Sequence, residues 1–188
     1  MKRCIFSVIT ILLLCNMAQA QKTVIKLNPL SLIFATGNVA VERTILDRAS
    51  LQLGVGIGAF RLGSGDTKAT YTGFSTVPEI RFYLTSKPAP AGFFLGPFGV
   101  YRSFTTKQNV DNVDGNYEAK QNLRLLGGGL NIGYQIVTLS GFSIDFFAGP
   151  CYNTVRTKVV EGKEEDISVA PGLSGFGLRT GIAVGWAF

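Results

Sequence analysis

The 188-residue sequence contains no histidine. Imidazole is the most frequent general base in catalysis and a common metal ligand, so Ser–His and Asp–His chemistry is excluded. Ser–Lys catalysis stays formally open, but no Ser/Lys pair is placed by a motif. We therefore predict no catalytic, cofactor-binding or metal-binding residue and no cofactor, and we expect that the protein is not an enzyme.

Charge and cysteine are also scarce. Charged residues make up 16% of the chain, whereas about 25% is usual for soluble domains. The formal net charge is +6 without a basic cluster, so no nucleic-acid partner is expected. Cys4 and Cys15 lie in the first twenty residues, and Cys151 alone would remain after their removal, which excludes an intramolecular disulfide and a cysteine metal cluster.

The beginning of the chain has the features of a secretory signal peptide. A positively charged pair, Lys2-Arg3, precedes the apolar stretch Ile5–Cys15, and Ala18-Gln19-Ala20 forms a small-residue cleavage site. The apolar stretch is too short to span a bilayer as a helix. We expect residues 1–20 to be a cleaved signal peptide and residues 21–188 to form one domain.

Strand-type alternation fills the rest of the chain. From Phe176 to Phe188, large apolar residues alternate with small or charged ones, which is typical of a half-buried strand. Pro29 is expected to interrupt the first such segment at a bulge or edge. The alternation predicts eight strands, at Thr23–Ala35, Val39–Leu46, Leu51–Phe60, Glu79–Leu84, Gly92–Phe104, Gly129–Ile136, Phe142–Gly149 and Phe176–Phe188.

The connections between these strands predict a membrane barrel. Four are short, at 36–38, 47–49, 86–91 and 140–141, and three are long and polar, at 62–73, 105–117 and 155–175. Outer-membrane barrels combine short periplasmic turns with longer outer loops. An open sheet would leave backbone groups unsatisfied in lipid. We therefore predict an all-β fold, a closed antiparallel eight-stranded up-and-down transmembrane β-barrel.

Charged residues occur on the face of the strands opposite the apolar one. Buried charges must pair, and eight strands leave an interior just wide enough for side chains. We predict a network of ion pairs that fills the lumen, beside glycines that leave room for it. A catalytic or ion-conducting role for the same residues is the alternative. The set comprises Glu42, Glu79, Arg81, Asp145 and Arg179, whereas the two apolar faces of the Gly92–Phe104 strand leave the orientation of Arg102 open.

Four other features have a functional and a structural interpretation, and we favour the structural one. The alternating glycines of Gly54–Gly58 indicate a small-residue stripe, because no helix follows them as a phosphate-binding loop requires. Glu161–Asp166 indicates a solvated loop tip rather than a cation site. Cys151 lacks an activating base. Trp186 and Phe188 fit an interfacial aromatic girdle.

Several segments resemble known barrel proteins. Gly181–Phe188 resembles the assembly signal of bacterial outer-membrane barrels, which alternates apolar residues and ends in an aromatic residue. Nearly all of residues 22–188 resembles the OmpA/OmpX-like eight-stranded barrels. Lys26–Leu32, Glu42-Arg43 and Phe147–Pro150 resemble a family of short Bacteroidetes barrel proteins of unknown function.

These resemblances imply a location and partners. The location would be the outer membrane of a Gram-negative cell, in contact with outer-membrane lipids and lipopolysaccharide. The barrel assembly machinery would recognise the segment ending in Phe188.

The leading interpretation is a monomeric outer-membrane barrel of structural or surface-interaction type. Its lumen would be plugged, and an extracellular partner would bind the loops at 62–73, 105–117 and 155–175, because rigid scaffolds usually carry function on loops. Alternatives are a small diffusion pore, a lipid-modifying barrel enzyme and a soluble lipocalin-like carrier of an apolar ligand. A soluble carrier would place its apolar face inside, and alternation alone does not distinguish inside from outside.

Overall fold

The computed structural model describes residues 22–33, 36–62, 69–112, 115–161 and 174–188, which form eight antiparallel strands and one helical turn, α1 (Leu30–Ile33). Each strand pairs with the next in the chain, and the last pairs with the first, so the barrel is closed. This confirms the predicted fold class. The strands are β1 (Thr23–Leu27), β2 (Thr36–Leu46), β3 (Ala49–Leu62), β4 (Ala69–Tyr83), β5 (Gly92–Asn112), β6 (Gly115–Val137), β7 (Phe142–Glu161) and β8 (Gly175–Ala187).

The apolar face of the strands points outward. On β3, Leu53 and Ile57 are 49% and 68% exposed, and on β8 Leu178 is 71% exposed. Their chain neighbours line the interior. A continuous apolar outer surface of this kind is what a lipid-facing barrel requires. No helix among the described residues is long and apolar enough to cross a membrane.

The strand register gives the barrel a defined tilt. Successive cross-strand partners, followed once around the barrel from Phe142 on β7, return to β7 at Tyr152, ten residues further on. A shear of ten with eight strands corresponds to a tilt of about 40°. Leu53 lies four of the eight strand steps along this path and is therefore midway between the two levels.

Aromatic residues mark two levels of the outer surface. Near the turn end lie Phe142 and Trp186, which are register partners. Near the loop end, Tyr152 contacts Phe176 with ring centroids 5.1 Å apart. Ten residues at about 3.3 Å each and a tilt of about 40° separate Phe142 from Tyr152 by about 25 Å, the height of the apolar band of such barrels.

The first strand is shorter than the sequence predicted. It ends at Leu27 rather than Ala35, and Asn28 begins a helical turn instead of a bulge. The Asn28 side-chain oxygen accepts a hydrogen bond from the Ser31 backbone N–H at 3.3 Å. Pro29 then occupies the first helical position, where its missing N–H is tolerated. The predicted turn at 36–38 is likewise wrong, because these residues begin β2.

One of the three predicted long loops is largely strand, and the other two are partly so. β5 and β6 together cover 105–117 except residues 113–114, which lie outside the described residues. Likewise β4 begins at Ala69 and β7 continues to Glu161, so 62–73 and 155–175 shrink to segments that include the undescribed residues 63–68 and 162–173. Beyond the bilayer both faces of a strand can be polar, so the alternation disappears while backbone pairing continues.

Inward-facing phenylalanines lie directly opposite glycines. A Cβ added to Gly133 would lie 2.4 Å from the Phe94 ring, and one added to Gly181 would lie 2.5 Å from the Phe147 ring. Glycine therefore gives these rings their space, as well as leaving clearance for the polar side chains. The register partners of this kind are Phe94–Gly133, Phe98–Gly129, Phe104–Gly73 and Phe147–Gly181.

Candidate functional site

The interior of the barrel contains a buried polar network centred on Lys26. The Lys26 ammonium group lies 2.5 Å from Glu42 Oε2 and 2.8 Å from Asp145 Oδ2. It also donates hydrogen bonds to Gln52 at 2.9 Å and to Gln135 at 2.6 Å. One side chain of β1 thereby contacts side chains from β2, β3, β6 and β7.

Arg81 extends this network across the lumen. Its Nη1 atom lies 2.7 Å from Asp145 Oδ2, and its Nε atom lies 2.9 Å from Glu79 Oε1. The guanidinium group stacks over Phe94, with Cζ 4.1 Å from the ring centroid. Arginine suits this place because its planar, forked donors bind two carboxylates while its face packs on an aromatic ring.

Glu79 joins a second arginine to the network. Arg179 Nη1 lies 2.9 Å from Glu79 Oε2, which also accepts a hydrogen bond from Asn131 Nδ2 at 3.0 Å. The Arg179 guanidinium contacts two rings, Phe98 and Phe147, at 4.7 and 4.5 Å from their centroids. Three cations thus balance three carboxylates, as buried charges require.

Glu42 accepts further hydrogen bonds from neutral hydroxyl groups. Tyr83 Oη donates to Glu42 Oε1 at 2.6 Å, and the Ser50 hydroxyl donates to the same oxygen. Because Tyr83 lies on β4 and Ser50 on β3, these hydrogen bonds connect three consecutive strands of the wall.

The network closes the lumen. Lys26, Glu42, Arg81 and Asp145 are each at most 1% exposed, so their side chains form a closely packed layer across the described lumen. All five charged residues predicted to face inward do so. Lys26 is not among those five residues. Its place between the outward-facing Ile25 and Leu27 nevertheless predicts that it points into the lumen, because strand residues alternate between the two faces.

Apolar side chains fill the lumen on the loop side of the network, along β4 to β7. One cluster comprises Tyr71 and Leu123 with Phe104 packed against them. A second comprises Phe98, Val100 and Leu125. These contacts determine the orientation that the sequence left open, because the even-numbered residues of the predicted Gly92–Phe104 strand face inward.

A cavity of about 390 Å³ lies on the other side of the lumen, on the loop side of the network. Lys26 and Gln52 border it at the network end, and Arg102 and Arg179 also line it. Arg179 is paired with Glu79. Arg102, in contrast, has no carboxylate within ion-pair distance among the described residues, so none of these residues balances its positive charge.

The remaining sequence features lie on the barrel strands or outside the described residues. Gly54 and Gly56 face the lumen, as predicted for the Gly54–Gly58 stripe. Cys151 is a half-buried free thiol on β7. Residues 162–166 of the acidic run lie outside the described part of the chain, and the part that is described contains no group of side chains suited to hold a metal ion.

A group of basic residues lies on the outer surface beyond the loop-side aromatic level. Arg124 on β6 and Arg156 on β7 are register partners, and Lys158 follows on the same face. Like charges in directly opposed positions repel each other. The register partner of Arg124 on β5 is Ser103, so no carboxylate is opposite it on either side.

The geometry bears on the alternatives that the sequence left open. A soluble carrier of an apolar ligand has its apolar residues inside, whereas here the described lumen holds a charged network and the outer surface is apolar. A diffusion pore requires a continuous aqueous path, whereas the network layer is buried.

Comparisons with known proteins give a family and a fold. A family model described as "Protein of unknown function (DUF3575)" matches residues 6–170. CarO of Acinetobacter baumannii is similar in structure, with a TM-score of 0.51 and 10% identity over 92% of this chain and 100% of that one. The N-terminal β-barrel domain of Pseudomonas aeruginosa OprF aligns with a TM-score of 0.34 and 16% identity, over 90% of this chain and 100% of that one. No curated protein gives a significant match.

Proposed function

The chain belongs to the family described as protein of unknown function (DUF3575), and from this starting point we propose that it is an outer-membrane β-barrel of a Gram-negative cell. Its role is structural or surface-interacting rather than transport. The observation that carries this proposal is the closed layer formed by Lys26, Glu42, Arg81 and Asp145 inside a barrel whose outer surface is apolar.

The strands that project beyond the bilayer provide the surface for interaction. β5, β6 and β7 contain 21, 23 and 20 residues, against 13 in β8. About ten residues suffice to cross the apolar band, so the three strands continue for roughly ten residues outside it. A paired three-stranded sheet presents its side chains in fixed positions, so it suits recognition of an extracellular partner better than loose loops would.

Lipopolysaccharide is the lipid partner that we propose for Arg124, Arg156 and Lys158. Arg156 lies four residues beyond Tyr152, about 10 Å further from the apolar band at the same tilt. Arginine binds phosphate with two parallel hydrogen bonds, and a phosphate group between Arg124 and Arg156 would relieve their repulsion.

The two ends of the chain have roles in export and assembly under this proposal. The signal peptide at residues 1–20 directs the chain to the periplasm, and the intact mass of the purified protein tests its removal. The barrel assembly machinery recognises the last strand through Phe188, whose side chain is exposed and whose backbone N–H donates to the Thr23 carbonyl at 2.8 Å. Phe188→Ala should slow assembly in cells, measured as a lower heat-modifiable fraction on gels.

Conductance and surface labelling test the role and the orientation. Purified protein in planar bilayers should give no steady ion current, and a steady current would contradict the closed lumen. In a Cys151→Ala background, Thr157→Cys should react with an impermeant thiol reagent on intact cells. Arg48→Cys, in the turn between β2 and β3, should react only after the outer membrane is opened. The reverse labelling would overturn the orientation, and recovery of the protein in the soluble periplasmic fraction would overturn the location.

A further inference from the structure

The cavity beside Arg102 has the properties of a ligand site that the proposed role does not use. It lies inside the barrel between the polar network and the loop-side aromatic level. Its volume of about 390 Å³ is in the lower part of the range of small-molecule sites. We propose that this cavity binds a small hydroxylated organic acid with one carboxylate, of the sugar-acid type.

The charge of the cavity determines the charge of the ligand. Lys26, Arg179 and Asp145 line it, and all three are ion-paired within the charge-balanced network. Arg102 alone has no carboxylate partner among the described residues. A half-buried cation without a partner is costly, and a single carboxylate balances it, whereas a doubly charged phosphate would leave an excess negative charge.

Neutral polar side chains in the cavity favour hydroxyl groups on the uncharged part of the ligand. Asn38, Gln52 and Ser75 line the same cavity and offer amide and hydroxyl groups. Such groups recognise hydroxyls, and they penalise a ligand that leaves them unpaired. The Phe147 ring also lines the cavity and adds an apolar surface of the kind that packs against a sugar ring. This ring contacts the Arg179 guanidinium and lies against Gly181.

Glycines on β3 keep the space open. Gly54 lines the cavity, and a Cβ added there would have its nearest neighbour, Val77 Cβ, at 3.6 Å, an ordinary contact. A Cβ at Gly54 therefore meets no close backbone contact. The position therefore allows the cavity to be filled while the fold and Arg102 remain intact.

Calorimetric titration of the folded protein in lipid nanodiscs tests the proposal, with D-glucuronate as the probe and D-glucose as its neutral analogue. Wild type should bind glucuronate saturably at one site, with a Kd in the millimolar range or tighter, and should not bind glucose. Arg102→Gln should weaken binding at least tenfold, and Gly54→Leu should abolish it. Arg43→Gln, at the turn-side rim, should leave it unchanged.

A second measurement separates loss of the site from loss of the fold. Folding of each variant is read from its heat-modifiable mobility, and Arg102→Gln should unfold at the same or a higher denaturant concentration than wild type, because it removes an uncompensated charge. No saturable binding of glucuronate by wild type, or equal binding by folded Arg102→Gln, would overturn the proposal. Neither result affects the closed lumen, which conductance measures independently.

Discussion

The Arg81 guanidinium and the Asp145 carboxylate meet at 2.7 Å across the barrel interior, although β5 and β6 separate their strands. The ion pair therefore joins two non-adjacent parts of the wall. Asp145 Oδ2 also lies 2.8 Å from Lys26 Nζ, so a single carboxylate oxygen connects β4, β7 and β1.

Removing Arg81 should destabilise the barrel strongly. Arg81→Met leaves Glu79 and Asp145 buried with one cation fewer, and breaking a buried ion pair from one side costs about 3–5 kcal/mol. The free energy of unfolding by urea in lipid vesicles measures this loss. Arg43→Met is the control, because Arg43 lies at the rim and, among the described residues, its side chain donates a single hydrogen bond, to Thr23 Oγ1 at 2.8 Å. Equal effects of the two substitutions would contradict a structural role for the network.

Adding a single methyl group to the glycine of a phenylalanine–glycine pair should destabilise the barrel. Gly133→Ala places a Cβ 2.4 Å from both the Phe94 ring and the Phe146 carbonyl oxygen, and such overpacking costs about 1–3 kcal/mol. Gly54→Ala meets only ordinary contacts and should change stability by less than about 0.5 kcal/mol. Urea unfolding of both variants measures the difference. If Gly133→Ala were neutral, the close packing of ring and backbone would be refuted.

A charged residue introduced at the midplane of the apolar outer surface should destabilise the barrel in a membrane. Leu53 lies midway between the two aromatic levels, and arginine at the midplane of a membrane barrel costs about 2–4 kcal/mol. Leu53→Arg should therefore make folding into vesicles less favourable by this amount. Val160→Arg, on the same outward face but in the projecting part of β7, should have little effect. Similar costs at both positions would argue that Leu53 does not face lipid.

Lipopolysaccharide should stabilise the wild-type barrel through its basic residues. In vesicles that contain it, the temperature of unfolding should rise, and the rise should shrink in the Arg124→Gln/Arg156→Gln double variant. Raising the salt concentration should reduce the effect, because these charges are exposed. Arg43→Gln, near the opposite end of the barrel, should respond like wild type. An undiminished rise in the double variant would exclude this site.

The sequence predicts the barrel because alternation in a strand assigns each residue to one face. The same rule places Glu42, Glu79, Arg81, Asp145 and Arg179 inside, and the structure confirms each of them. The rule does not predict which of these residues form ion pairs, because partners such as Arg81 and Asp145 lie on non-adjacent strands.

Where both faces of a strand have the same polarity, alternation does not show which residues face inward. The two apolar faces around Arg102 concealed its orientation, and the polar ends of β5 to β7 resembled loops. The early end of β1 follows from local chemistry, since Asn28 and Pro29 form a helix start. That signal was present in the sequence, but the surrounding apolar residues also fitted a strand.

The ladder between β1 and β8 involves only Val24–Leu27, which makes it the shortest seam of the cylinder. Lys26 lies within this seam and contacts groups on four other strands from the inside. A force that opened the seam would therefore have to break these interior contacts as well as the backbone hydrogen bonds. Because β1 lies at the start of the chain and Gln135 and Asp145 lie on β6 and β7 near its end, Lys26 can make these contacts only when the cylinder is closed.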